Sequence, residues 1–269
     1  MKRSPSLVAF VLVLACARFA RAECGTSEDG FEPWLASFRE EARGQGISAQ
    51  TLALTLGSGV RYDEGVVALD RAQKPFKLGY AAFAAQRITR ARIRTGKRLL
   101  EHHGELLAKI EKRFGVPRSI LVAIWGLETD YGESIGTKSV FRSLATLAWD
   151  CRRAARFRGE LTSALRIVER GDLKPSEMRG AWAGELGQTQ FLPSSYERFA
   201  TDFDGDGRAD LLGSTADALA STANYLAGNG WRAGEGFTQG SENFRVLAAW
   251  NKSAIYQRTI AAFARKLGG

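Results

Sequence analysis

The chain has 269 residues, of which 45% are hydrophobic and 25% are charged. These fractions are typical of a globular protein and exclude a disordered one, and the length allows one large domain or two small ones. The formal net charge of +9 favours an anionic partner such as a cell-wall polymer or a membrane surface.

The N-terminus is typical of an export signal. Cations precede an apolar run from Leu7 to Ala17, and Ala20-Arg21-Ala22 has the small-x-small form of a signal-peptidase site. We therefore predict a signal peptide at residues 1–22 and a periplasmic protein, with a lipid anchor at Cys16 as the alternative. The apolar run is too short for a permanent membrane span and no later segment approaches that length, so we expect no transmembrane helix.

The predicted export has consequences for the cysteines and for the kind of molecule that the protein binds. Removal of residues 1–22 leaves a basic protein whose cysteines are Cys24 and Cys151. In an oxidising compartment this even count suggests one disulfide between them, with unpaired thiols as the alternative. We expect a monomer. We also expect no nucleic-acid partner, because nucleic acid is a poor candidate in that compartment.

Apolar periodicity predicts helices along most of the remaining chain. The helical pattern runs from Phe31 to Phe114, with breaks at Gly57-Ser58-Gly59 and Gln73-Lys74-Pro75, and it resumes at Val116. No two-residue alternation is sustained, so any strands should be short and few. The predicted fold class is therefore mainly α.

A single carboxylate closes the apolar helix that follows residue 116. Pro117 fits a first helical position, and Ile120, Ile124 and Glu128 are spaced by four, so they share one apolar face. A carboxyl group at the end of this face should be partly desolvated, which raises its pKa, as a general acid requires. The alternative is a solvated glutamate at a helix terminus, although a helix C-terminus disfavours negative charge.

Glycoside cleavage usually takes two carboxyl groups, and the sequence near Glu128 offers Asp130 and Glu133. A separation of two along a helix points side chains apart, so Asp130 is a poor partner. We expect Asp130 to be a turn residue that bonds the local backbone. A mechanism that uses one carboxylate then has to be explained.

An acidic segment matches a calcium-binding loop through nine positions. Oxygen ligands are expected at positions one, three, five, seven and nine, which are Asp202, Asp204, Asp206, Arg208 through its main-chain carbonyl, and Asp210. Position twelve is Gly213 in place of a glutamate, so we expect Asp217 to supply the remaining carboxylate. We predict a structural Ca²⁺ in the loop at residues 202–217, with a metal-free acidic turn as the alternative.

Taken together, these motifs resemble those of the B-type lytic murein transglycosylases, the membrane-bound lytic transglycosylase B family (glycoside hydrolase family 103). The resemblance runs from Phe31 to the C-terminus and is carried by Glu128-Thr129-Asp130-Tyr131-Gly132, Leu144-Ala145-Thr146-Leu147, Arg152-Arg153, Gln190-Phe191-Leu192-Pro193-Ser194-Ser195-Tyr196, the calcium-type loop, Ala223-Asn224-Tyr225 and Trp250-Asn251. It implies a lysozyme-like catalytic core at residues 116–269, closed by a C-terminal helix, and an additional helical domain at residues 23–115.

The resemblance also implies an enzyme that cleaves the β-1,4 bond between N-acetylmuramic acid and N-acetylglucosamine in peptidoglycan glycan strands. Its one catalytic glutamate would be Glu128 here, which first protonates the glycosidic oxygen. The acetamido oxygen of the substrate would hold the cationic sugar. Ionised Glu128 would then take the proton of the 6-hydroxyl, which closes onto C1 as a 1,6-anhydro product. No cofactor is needed for this catalysis.

The resemblance assigns further residues to substrate binding, namely Gln188, Gln190, Tyr225, Asn251, Arg152 and Arg153. Gln190 would bind the sugar at the cleavage point, Tyr225 would pack against a sugar ring, and the arginines would bind carboxylates of the stem peptide. Asn251 follows Trp250 where the family has tyrosine, so a hydroxyl contact to Glu128 would come from Tyr256 or Tyr131. Alternatively, the glutamines satisfy loop backbone groups, Tyr225 is core and the arginines are solvated.

Two other functions compete with this one. A muramidase-type hydrolase predicts a reducing-end sugar product and a second carboxylate or positioned water opposite Glu128. A catalytically silent protein that binds peptidoglycan, or a calcium-dependent scaffold, predicts that Glu128→Gln leaves every activity unchanged.

Overall fold

The computed structural model describes residues 23–73 and 78–268, and most of these residues lie in helices. The helices are α1 (Phe31–Gly44), α2 (Ala49–Thr55), α3 (Glu64–Arg71), α4 (Tyr80–Arg87), α5 (Arg90–His102), α6 (Gly104–Phe114), α7 (Arg118–Thr129), α8 (Val140–Trp149), α9 (Ala154–Glu169), α10 (Pro193–Phe199), α11 (Thr215–Gly228), α12 (Glu242–Trp250) and α13 (Ala254–Leu267). The short strands β1 (Lys138–Ser139) and β2 (Arg179–Gly180) pair antiparallel. The prediction of a mainly α fold is confirmed.

Helix α7, which carries Glu128, begins one residue later than predicted. Pro117 is its N-cap, with a ψ of 135° that is not helical, so the first helical residue is Arg118. Almost every side chain of α7 is buried, including Ile120 and Ile124. The helix therefore runs through the interior and delivers its last turn to the groove described below.

The apolar side chains form two clusters. One joins α1, α2 and α3 to α8, α9 and α10, and the other joins α4, α6 and α7 to α11, α12 and α13. Each cluster takes side chains from both sides of residue 115. Tyr225 and Trp250 pack against both clusters, which places these two rings at their junction.

A disulfide bond joins Cys24 to Cys151, the pair that the cysteine count suggested. Backbone hydrogen bonds support it, since Gly25 N–H donates to the Trp149 carbonyl at 2.9 Å and Cys151 N–H donates to the Gly25 carbonyl at 3.1 Å. The signal peptide and the Cys16 anchor were predicted for residues that lie outside the described part of the chain. Within residues 23–73 and 78–268, no helix is long and apolar enough to cross a membrane.

Candidate active site

Glu128 lies in the last turn of α7, where the chain reverses sharply. Asp130 and Tyr131 take left-handed backbone conformations, with φ of 55° and 65°. The Thr129 hydroxyl donates to the Gln188 carbonyl at 2.5 Å and accepts from Gly132 N–H at 2.9 Å. This contact ties the end of α7 to the loop that carries Gln190.

Two neutral groups hold the Glu128 carboxyl. The Trp250 indole Nε1–H donates to Glu128 Oε1 at 2.9 Å, and the Tyr256 hydroxyl donates to the same oxygen at 2.8 Å. Burial raises the pKa of Glu128, although the hydrogen bonds from Trp250 and Tyr256 partly oppose that rise. A glutamate that keeps its proton to a higher pH than usual is suited to general acid catalysis.

The source of these hydrogen bonds answers a question that the sequence left open. Tyr256 supplies the hydroxyl contact to Glu128, whereas the Tyr131 hydroxyl donates to the Arg92 carbonyl at 2.6 Å. Trp250, where the family has tyrosine, contributes through its indole nitrogen. Glu128 therefore keeps two donors even though one of the expected hydroxyl groups is replaced.

Glu128 opens into a cavity of about 640 Å³. Polar and aromatic side chains line it together, so it offers a ligand both packing surfaces and hydrogen-bond partners. The lining residues include Gln73, Glu128, Arg153, Arg156, Phe157, Trp182, Glu185, Gln190, Phe191, Ser195, Tyr225, Trp250, Asn251 and Lys252. We call this cavity the groove.

The two predicted glutamines occupy different environments. Gln190 lines the groove in a left-handed conformation with φ of 56°, and its Nε2 donates to the carbonyls of Gly187 at 3.0 Å and Ile135 at 3.2 Å. Gln188 is buried, with 6% of its surface exposed, and its Nε2 donates to the Leu212 carbonyl at 3.1 Å. Gln188 thus bonds loop backbone and is not among the residues that line the groove, so its role in substrate binding stays a prediction.

Tyr225 and Asn251 both line the groove, as expected of substrate-binding residues. The Tyr225 ring meets Trp250 edge-on at a centroid distance of 5.2 Å, and its hydroxyl donates to the Ala249 carbonyl at 2.7 Å. Asn251 Oδ1 accepts from Ser253 N–H at 2.9 Å. These contacts fix the aromatic wall beside Glu128, so its shape is set before substrate arrives.

The predicted arginine pair is engaged inside the protein. Arg152 Nε donates to the carboxylate of buried Asp70 at 2.6 Å, and Arg153 binds the other oxygen of the same carboxylate. Burial alone would raise the pKa of Asp70, but the hydrogen bonds from both arginines bring it below its usual value. Arg153 also reaches the groove, while Arg152 is not among its lining residues. Asp70 therefore competes with any peptide carboxylate for this pair.

Asp130 differs from its predicted role in one respect. It is a turn residue at the C-terminus of α7, as expected, but its carboxylate accepts from Arg92 Nε at 2.9 Å instead of from a backbone group. The ion pair holds α5 against the end of α7 and turns the Asp130 carboxylate toward α5. Glu133 is exposed and is not among the residues that line the groove.

Sequence reasoning missed Glu185, the other carboxyl group that lines the groove. It follows β2, and a side chain at Gly180 would clash with the Glu185 carbonyl, so the close approach there requires glycine. Burial raises the pKa of Glu185, while backbone N–H groups, Arg156 and Arg153 oppose that rise. The available signal was a lone charge in the run Ala181-Trp182-Ala183-Gly184-Glu185-Leu186.

The structure brings together three of the predicted calcium ligands. Asp202, Asp204 and Asp217 each place a carboxylate oxygen within 4.8 Å of the others. Asp217 is fully buried and accepts from Phe203 N–H at 2.7 Å and Asp210 N–H at 2.9 Å. Clustered hard oxygen donors, one of them buried, suit Ca²⁺.

The remaining predicted ligands lie outside this cluster. The Asp206 carboxylate accepts from Arg208 N–H at 2.9 Å, and Asp210 Oδ1 accepts from Leu212 N–H at 2.9 Å. The Arg208 guanidinium donates to the Asp172 carbonyl at 3.2 Å. Short local turns thus occupy the Asp206 and Asp210 carboxylates, and the cluster itself is smaller than the predicted set.

Known proteins are similar to this chain in sequence. The family described as transglycosylase SLT domain matches residues 30–240. Over 149 residues, the chain is 36% identical to membrane-bound lytic murein transglycosylase B of Escherichia coli K12, a match that covers 55% of this chain and 41% of that protein. The chain thus spans about two fifths of the length of that relative.

Solved structures share the fold. SltB3 from Pseudomonas aeruginosa, in complex with NAG-anhNAM-pentapeptide, is 33% identical with a TM-score of 0.83, and the match covers 89% of this chain and 80% of SltB3. E. coli Slt35 in complex with calcium is 25% identical with a TM-score of 0.78, covering 87% of this chain and 92% of Slt35. These neighbours are lytic transglycosylases, and the lysozyme-like fold implied by the sequence is confirmed. Because the family match extends over most of its length, the chain belongs to the transglycosylase SLT domain family.

Proposed function

We propose that the protein is a lytic transglycosylase that cleaves the β-1,4 bond between N-acetylmuramic acid and N-acetylglucosamine in peptidoglycan. The observation that carries this proposal is Glu128, held by neutral donors in a groove with a raised pKa. Membership of the family and the peptidoglycan fragments bound to SltB3 support the choice of substrate.

The first chemical step is proton transfer from Glu128 to the glycosidic oxygen. The bond between C1 and that oxygen breaks, and positive charge develops on the sugar. The acetamido oxygen of the same sugar attacks C1 and holds the charge, which is a substrate-assisted route. The carboxylate left at Glu128 is stabilised by Trp250 and Tyr256, whose hydrogen bonds strengthen when their acceptor becomes charged.

The second step uses Glu128 as a base. The carboxylate takes the proton of the muramic acid 6-hydroxyl while that oxygen bonds to C1 and displaces the acetamido oxygen. The product is a 1,6-anhydro sugar, and Glu128 regains its proton. Tyr225, Gln190 and Asn251 line the groove and would bind the sugars on either side of the cleaved bond.

Digestion of purified peptidoglycan followed by mass spectrometry tests this function. Wild type should release muropeptides with anhydro ends, which are lighter than reducing ends by one water, and Glu128→Gln should abolish them. Glu133→Gln is the matched control, because this nearby glutamate is exposed and lies outside the groove. Activity retained in Glu128→Gln, or no soluble product from wild type, would contradict the proposal.

A muramidase-type hydrolase is the second candidate, and Glu185 is the observation that favours it. This residue places a second carboxyl group in the groove, where a base could activate water. The same digestion separates the two functions, because a hydrolase leaves reducing ends. The silent peptidoglycan-binding alternative predicts no release at all.

We also propose a structural Ca²⁺ held by Asp202, Asp204 and Asp217. Their clustered oxygens and the calcium complex of Slt35 support this proposal. For location, we propose the periplasm, on the basis of the predicted signal peptide and the disulfide between Cys24 and Cys151. The proposed Ca²⁺ would stiffen the loop that precedes α11, and α11 carries Tyr225.

A further inference from the structure

Glu185 is the half-buried carboxyl group of the groove that the proposed mechanism leaves without a role. One carboxylate oxygen accepts from Ala183 N–H at 3.1 Å. Among the residues that the structure describes, no lysine or arginine forms a salt bridge with it. The side chain is thus held by its own loop and keeps acceptor capacity toward the groove.

The surroundings of Glu128 and Glu185 differ in charge. Glu185 faces the positive charges of Arg153 and Arg156, which favour its ionised form. Burial and the negative charge of Glu185 disfavour ionisation of Glu128, and the hydrogen bonds from Trp250 and Tyr256 partly oppose that effect. Burial raises the pKa of both carboxyl groups, and at Glu185 two arginines and backbone N–H groups oppose that rise.

We propose that Glu185 contacts substrate as a second carboxylate, accepting a hydrogen bond from the acetamido N–H of the sugar that Glu128 cleaves and stabilising the positive charge that develops there. The inference rests on the proposed function and deepens it. Acetamido assistance requires the carbonyl oxygen to point at C1, and a fixed acceptor for the N–H sets that orientation. A negative charge close to the cationic sugar lowers the barrier in the same way as other preorganised electrostatic groups.

This role differs from that of a base for water. A base must take a proton during the cycle. An acceptor for N–H stays ionised throughout and needs no proton transfer. The two roles also differ in their products, because only a base for water gives reducing ends.

Binding tests the contact without any turnover. In the Glu128→Gln background, the affinity for an N-acetylglucosamine tetrasaccharide should fall at least about tenfold on adding Glu185→Ala, as expected for loss of a hydrogen bond to a charged group. An analogue with 2-O-acetyl groups lacks the N–H and should bind both proteins equally. Equal affinity of both proteins for the N-acetyl sugar would overturn the proposal, even if peptidoglycan cleavage were never observed.

Kinetics on peptidoglycan test whether the negative charge of Glu185 contributes to catalysis. Glu185→Gln keeps the shape of the side chain and should lower kcat by about 10- to 100-fold with little change in KM. It should also move the fall in activity at high pH to lower pH, because loss of the negative charge lowers the pKa of Glu128. Glu133→Gln should change neither quantity.

Two kinetic results would overturn the proposal. One is a Glu185→Gln enzyme with unchanged kcat. The other is selective loss of reducing-end products, which would make Glu185 a base for water. Thermal melts of Glu185→Gln and Glu185→Ala should match wild type, and the shape-conserving variant decides the question if the alanine variant melts early. Failure of wild type to release anhydro products would refute the proposed function separately, while the binding result still decides the Glu185 contact.

Discussion

Replacing Tyr256 by phenylalanine removes one of the two donors to Glu128 and leaves the ring in place. The lost bond is 2.8 Å long and ends on Oε1, the oxygen that Trp250 also contacts at 2.9 Å. A hydrogen bond to a charged group is worth about 1.5–3 kcal/mol, so loss of one donor should lower the rate through ionised Glu128 by about 10- to 150-fold.

The pH dependence gives this prediction a definite sign. The hydroxyl stabilises the ionised carboxylate, so its removal raises the pKa of Glu128 beyond the rise that burial causes. A general acid works while protonated, and activity falls as pH rises through its pKa. The Tyr256→Phe enzyme should therefore lose activity at a higher pH than wild type.

Initial rates of muropeptide release between about pH 4 and 9, a range that begins near the usual glutamate pKa of about 4.3 and extends above it, would measure both effects. Tyr131→Phe is the matched control, because that hydroxyl donates to the Arg92 carbonyl and leaves the Glu128 contacts intact. An unchanged rate in Tyr256→Phe, or a fall in activity that moves to lower pH, would refute the account of how Glu128 is held.

Two further predictions concern stability. Chelation should lower the melting temperature and added Ca²⁺ should restore it, because at a hundredfold excess over Kd a bound ion raises the free energy of unfolding by about 2.7 kcal/mol. An unchanged melting temperature with no bound calcium would contradict the proposed metal site. Replacing Cys24 and Cys151 by serine opens a cross-link with a sequence separation of 127, for which loop-closure entropy gives up to about 5 kcal/mol. Urea unfolding would measure this loss, and a change below about 1 kcal/mol would show that the bond constrains the unfolded chain little.

Local features of the fold were predictable from sequence because they depend on neighbours along the chain. The spacing of Ile120, Ile124 and Glu128 is a property of one helix, and it predicted both the buried face and the desolvated carboxyl. The start of α7 was predicted within one residue, since proline is common at either side of a helix start.

Features that depend on contacts between distant segments of the chain could not be predicted from the sequence. Asp70 and Arg152 are 82 residues apart, and nothing in either segment indicates that a buried carboxylate engages the basic pair. The two apolar clusters likewise combine helices from both ends of the chain, which no local pattern reports. Gln188 and Gln190 have the same side chain two positions apart, and only the loop conformation decides which one faces the groove.

The second carboxyl group of the groove also comes from a distant segment, so neighbours of Glu128 in the sequence did not reveal it. Asp130 and Glu133 were considered because they lie close to Glu128 in sequence, yet one pairs with Arg92 and the other is exposed. Glu185 enters the groove from the segment after β2, whose pairing with β1 brings that loop across from α7.

The different environments of Glu128 and Glu185 suit these two carboxyl groups to different roles. Burial favours the protonated form of Glu128, where the leaving oxygen needs the proton, while in the proposed role Glu185 is a carboxylate that Arg153 and Arg156 stabilise against the effect of burial. A fixed negative charge stabilises a cationic sugar without bonding to it, so the 6-hydroxyl of the sugar remains free to close onto C1. A groove with two carboxyl groups is thus compatible with a transglycosylase, provided that the second one orients the acetamido group and does not activate water.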